Sequence, residues 1–125
     1  MLSFPPGVQV FLAVAAVDMR KSFDGLTAAV ESVFERNVLD GHLFLFLNRR
    51  RDRIKILWWD RDGLAIWAKR LEAGSFEMPR HEAGAQRLQL EATQLALLLS
   101  GVQLDAPQRP RYVRPPANTS TRQAS

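Results

Sequence analysis

Two segments of this chain are apolar at both odd and even positions, and that property constrains the fold more than any other. Residues 8–16 read VQVFLAVAA and residues 42–47 read HLFLFL. Side chains of a strand alternate between faces, so a run without alternation needs cover on both sides. The pattern predicts central strands of a sheet lying between two layers. Three kinds of cover would serve the second face: the C-terminal helix, a second copy of the chain, or a partner protein.

The remaining elements follow from periodicity and turn residues. Pro5, Pro6 and Gly7 form a turn before the first strand, and residues 17–22 (VDMRKS) are a polar connection anchored by Met19. Phe23, Leu26, Val30, Val33 and Phe34 recur at helical spacing, which predicts a helix over 23–36. Ser22 is placed to cap it, Asp24 suits its first turn, and Asn37 is placed to end it in a left-handed turn. Gly25 in the first turn points to a close approach. Asp40 and Gly41 make a turn, and 48–53 (NRRRDR) a loop. In 54–59 (IKILWW), Ile54, Ile56 and Trp58 share one face, while Lys55, Leu57 and Trp59 share the other. Asp-Arg-Asp-Gly at 60–63 is a tight turn into a strand over 64–70. The expectation is an antiparallel meander through 42–70 with sequential neighbours paired. Residues 75–78 are a short extended piece, 80–86 a loop, 87–90 a short edge strand, and 91–100 a second helix stopped by Gly101. Leu95, Leu98 and Leu99 form its buried stripe.

At 125 residues the chain has room for one domain. The reading is α+β: a compact body over 1–106 and a flexible Pro/Arg-rich tail over 107–125. Charge supports that division. The chain carries a formal +4. Thirteen Lys or Arg balance thirteen Asp or Glu through residue 108, and the whole excess comes from the tail's Arg109, Arg111, Arg114 and Arg122. Such an arm favours polyanions or acidic surfaces.

Arg49, Arg50, Arg51, Arg53 and Lys55 surround a single acid, Asp52, at the tip of the expected hairpin. Arginine binds phosphate with two donors at once, and such contacts position a protein without reading sequence. A solvated turn that discourages edge pairing is the competing reading. In the tail, Arg109, Arg111 and Arg114 flank Tyr112. They would contact phosphate and stack on a base, cover an acidic patch of a protein, or simply keep the chain soluble. Trp58 and Trp59 must face opposite ways, with Trp67 on the next strand. Whichever of Trp59 and Trp67 is exposed is a candidate protein interface, since tryptophan is enriched there.

Several chemistries lack their residues. There is no cysteine, hence no disulfide, thiol nucleophile or cysteine zinc site. Asp60 and Asp62 suit their turn better than a nuclease metal site. Asp18 beside Arg20 and Lys21 reads as a local clamp. His42 and His81 have neither a third histidine nor ligand spacing. The seven glycines are scattered at turns, with no phosphate-cradling loop. No enzymatic activity and no cofactor are expected. The apolar run at 95–99 is too short to span a bilayer and the N-terminus does not read as a signal peptide, so the expected location is cytoplasmic.

Two longer strings carry a resemblance. Residues 4–26 read FPPGVQVFLAVAAVDMRKSFDGL, and residues 41–79 include the core RDRIKILWWD at 51–60, then Asp62, Gly63, Leu64, Lys69, Arg70, Leu71, Glu72, Gly74 and Phe76. In this order they resemble the TnpB-type, or Orf2-like, accessory proteins of the insertion-sequence family numbered sixty-six. The likeness covers about residues 4–105. It departs before the last helix, where Glu91 and Ala92 stand in place of the usual hydroxyl residue and Thr93 follows. The resemblance implies a non-catalytic accessory protein of DNA transposition, encoded beside a transposase and working with it near the nucleoid. The resemblance supplies the process and the residues supply the mechanism: from their charge, Arg49, Arg50, Arg51, Arg53 and Lys55 are expected on DNA phosphates, with Arg20 and Lys21 adding to the same surface and the tail arginines giving a mobile contact. The alternative is an adaptor that binds the transposase without touching DNA. A homodimer is compatible with either.

Overall fold

The computed structural model describes residues 6–100. Its centre is a five-stranded sheet: β1 (Val10–Ala13), β2 (Leu43–Leu47), β3 (Arg53–Asp60), β4 (Gly63–Arg70) and β5 (Arg87–Leu90). The spatial order is β4-β3-β2-β1-β5. The meander over 42–70 forms as expected. β2 and β3 pair antiparallel with Leu45 opposite Ile56, and β3 and β4 pair antiparallel from Arg53–Arg70 down to Asp60–Gly63. β5 is an edge strand antiparallel to β1. The pair β1–β2 is parallel. Its connection contains a helix, as a parallel crossover requires.

All of β1 and all of β2 are buried, so the absence of alternation was a true sign of cover on both faces. On one side Val10, Leu12, Leu43, Leu45, Leu47, Ile54 and Ile56 pack with Phe76, Leu90 and the second helix, α2 (Ala92–Ser100), through Leu95 and Leu98. On the other side Phe11, Ala13, Phe44, Phe46 and Leu57 pack with the first helix, α1 (Phe23–Ala29), through Leu26, and with Val30, Phe34 and Val38. Phe34 sits among Phe11, Phe44 and Phe46 with ring centroids 5.1–6.2 Å apart. The chain's own two helices therefore supply both layers.

Four local expectations are corrected. The first strand covers only 10–13 of the apolar run: the Val14 amide still donates to the Gln86 carbonyl at 3.0 Å, and beyond it the chain crosses toward β2, where the Val17 amide donates to the Leu47 carbonyl at 2.9 Å. The α-helix stops at Ala29, and one π-helical stretch (Val30–Phe34) carries the stripe on, ending at Glu35 in the left-handed region with φ 56°. Asn37 does not end that helix. Its side chain accepts the Leu39 amide and starts a 3-10 turn (Val38–Asp40) closed by Gly41. Ser22 occupies the cap position of α1 without a side-chain cap bond. Gly25 answers to a close approach: a Cβ there would meet the Lys21 side chain at 3.1 Å. Gly101 and the tail lie outside the described residues.

Candidate nucleic-acid interface

The pairing registers bring certain loops together. β1 and β2 run parallel and end at one end of the sheet, where β3 begins and β4 finishes. The connection after β1 (14–22), the β2–β3 turn (48–52) and the start of the segment after β4 therefore meet. The opposite end carries Asp40, Asp60 and Asp62 together with Arg61. Cations that are dispersed in the sequence thus collect at one end of the fold.

The β2–β3 turn is built around Asn48. Its Oδ1 accepts the amides of Asp52 and Arg53 at 3.1 and 3.0 Å, and its Nδ2 donates to the Asp52 carboxylate at 2.7 Å. Arg51 has φ 59°, the left-handed conformation that closes the turn, and its amide donates to the Asn48 carbonyl. The turn is also pinned to the segment after β4: the Leu71 amide donates to the Asp52 carbonyl and the Phe76 amide to the Arg51 carbonyl. The arginines therefore project from a braced platform. With Asp52 engaged by Asn48, no side-chain hydrogen bond or ion pair holds Arg49, Arg50, Arg51 or Arg53 among the described residues.

The neighbouring loop is braced as well. The Lys55 Nζ donates to the carbonyls of Met19 and Lys21, both at 2.8 Å, and so fastens the 17–22 connection to the sheet. Lys55 contributes to this end chiefly by holding that loop. Lys69, on the opposite face, does the same for α2 by donating to the Leu99 carbonyl at 2.8 Å. Arg20 forms a two-pronged pair with Asp18, closest at 2.7 Å, while remaining 90% exposed. That guanidinium lowers the Asp18 carboxyl to about 2. The Asn48 amide, with Arg50 and Arg53 contributing by charge, holds the Asp52 carboxyl below its usual value.

Arg20, Arg49, Arg50, Arg53 and Arg70 line one open concavity of about 760 Å³ together with Asp18 and Asp52. Five guanidiniums against two carboxylates leave it positive. Of the residues expected at this surface, Lys21 and Arg51 are exposed at the same end without lining the concavity, and Lys55 lies beneath it. Arg109, Arg111 and Arg114 fall outside the described residues. Arg70 was missed by the sequence reading, although counting back along the ladder from the Asp60–Gly63 turn places it opposite Arg53.

The tryptophans divide as strand alternation requires. Trp58 and Trp67 pack against the core on the α2 side. Trp59 points to the α1 side, paired across the ladder with Leu64, and belongs to neither core cluster. All three are half-buried. Among the described residues no group of three His, Cys, Asp or Glu is placed to hold a metal ion. No described helix is long and apolar enough to cross a membrane.

Comparison with known proteins places the chain in a family. Residues 8–109 match the family described as IS66 Orf2 like protein. The uncharacterized protein y4hO of Sinorhizobium fredii is 38% identical over 108 residues, covering 86% of this chain and 92% of that protein. The uncharacterized protein y4jC of the same organism is 31% identical over 109 residues, covering 87% and 92%. No solved structure matches the chain.

Proposed function

This chain belongs to the family of IS66 Orf2-like proteins, which are associated with transposition, and we propose that it acts there by binding DNA phosphates as a scaffold for the transposase complex. The observation that carries this reading is the convergence of Arg20, Arg49, Arg50, Arg53 and Arg70 on one concavity. Residues from three separate segments meet there on braced loops, and the two acids present are already engaged by Arg20 and Asn48. A solvated turn would need neither the bracing nor the recruitment of Arg20 and Arg70. Phosphate contacts of this kind fix position and orientation but do not select a sequence.

Gel-shift titration on element-end DNA at two salt concentrations tests the reading. Binding should weaken steeply with salt, and charge reversal at Arg49 and Arg50 should abolish it. Binding that ignores both salt and charge reversal contradicts it.

One observation favours the adaptor reading. Trp59 is half-buried outside both cores, at the end of the sheet away from the arginines. If the protein instead binds the transposase without DNA, Trp59 is the better anchor, because Trp67 is already packed against the body of the fold. Loss of the transposase complex on Trp59→Ala, with no DNA binding by the protein alone, would establish that alternative.

A further inference from the structure

The arginine-lined end of the sheet is a trough and not a blade. The concavity of Arg20, Arg49 and Arg50 continues into a second, of about 440 Å³, lined by Arg53, Ala68, Arg70 and Glu72, and the two share Met19, Arg53 and Arg70. Hollows of this size are on the scale of small-ligand sites, roughly 300–1,000 Å³. The β2–β3 turn has the form of a ribbon, but it is tied down by the Leu71 and Phe76 amides. A free helix or two-stranded ribbon is what enters the major groove of a duplex. This end offers neither.

One exposed aromatic lies at the same end. Phe23 opens α1 three residues after Arg20 and is 44% exposed, one of two large hydrophobic side chains so displayed among the described residues. Its approach is fixed from beneath by the Lys55 bonds to Met19 and Lys21. Phe23 lines neither concavity but follows Arg20 by three residues. A cationic trough with an exposed aromatic within reach of its rim suits an unpaired strand, whose phosphates follow the charge and whose bases stack on the ring without regard to sequence.

We propose that this end of the protein binds single-stranded DNA, with the phosphates along Arg49, Arg50, Arg53 and Arg70 and an unpaired base on Phe23. The inference rests on the DNA-binding reading above and specifies the strand state. Its place in transposition is wherever strands of the element are separated.

Fluorescence anisotropy with the full-length protein tests it, using one mixed-sequence oligonucleotide as single-stranded DNA, as duplex and as RNA. Single-stranded DNA should bind at least about tenfold tighter than duplex. Phe23→Ala should weaken single-strand binding about tenfold, leave duplex binding unchanged, and be rescued by Phe23→Trp. Because Phe23 is 44% exposed and belongs to neither core cluster, a thermal melt should show the variant folded. Duplex binding as tight as single-strand binding, or no effect of Phe23→Ala, overturns the inference and leaves the DNA-binding reading standing. Tighter binding of RNA overturns the choice of DNA. Failure to bind any of the three overturns both.

Discussion

Arg53 stands directly across the β3–β4 ladder from Arg70. Like charges in that relationship repel, at a cost of roughly 0.2–1 kcal/mol. Relief among the described residues comes from the charge of the Asp52 carboxylate near Arg53 and from an exposed pair between Arg70 and Glu72 at 3.7 Å, and such exposed pairs contribute little. An anion placed between the two guanidiniums would remove the repulsion. Arg70→Glu should therefore raise stability by up to about 1 kcal/mol while weakening DNA binding. Urea denaturation beside a DNA titration checks both halves, and a variant that loses stability refutes the strained-pair account.

The lysine clamps should be structural. Lys55→Met removes two charge-assisted bonds to the Met19 and Lys21 carbonyls and should cost about 1–3 kcal/mol. Lys69→Met removes the single bond to Leu99 and should cost less. Hydrogen exchange should locate the loosening in 17–22 for the first variant and at the end of α2 for the second.

Arg51 holds φ 59° with a side chain that disfavours it. Arg51→Gly should stabilise the protein by about 0.5–1 kcal/mol, and Arg51→Val should destabilise it by more. Thermal melts of the two variants decide the sign.

The Asp18 carboxyl, lowered to about 2 by Arg20, gives a pH signature. A depressed carboxylate contributes stability that is fully present above the ordinary aspartate value of 3.8 and is lost as pH falls through 2. Carbon NMR of the Asp18 carboxyl should show a midpoint near 2, moving toward 3.8 in Arg20→Ala. Stability should fall across the same acid window, and Asp52 should contribute in the same direction.

Phe34 is buried and packs against three other phenylalanine rings. Phe34→Ala should cost about 3–5 kcal/mol in chemical denaturation. A loss under 1 kcal/mol would mean that the π-helical stretch is not packed as described.

The fold was readable wherever hydrophobicity alone decided it. The double-sided apolar runs announced two covering layers, Asp62-Gly63 set the hairpin, and the spacing of Leu95 and Leu98 marked α2. Sequence was silent on the parallel pairing of β1 with β2, because apolar strands look alike in either direction. It misplaced the end of the first helix because a π-helical stretch keeps the apolar stripe while shifting the backbone, so Glu35 rather than Asn37 takes the left-handed turn. At the candidate site, the cluster Arg49–Arg53 was visible as a run, whereas Arg70 depends on strand register and the occupation of Lys55 on a loop carbonyl that no motif encodes.

The proposed function stands on direct contact between the arginine end of the sheet and DNA. Labelled terminal DNA of the element should be titrated with this protein, with purified transposase, and with both together. This protein should shift the DNA without transposase, and reversing Arg49 and Arg50 should remove the shift. A shift seen only when transposase is present, and unchanged by those reversals, would contradict direct contact and move the site to Trp59.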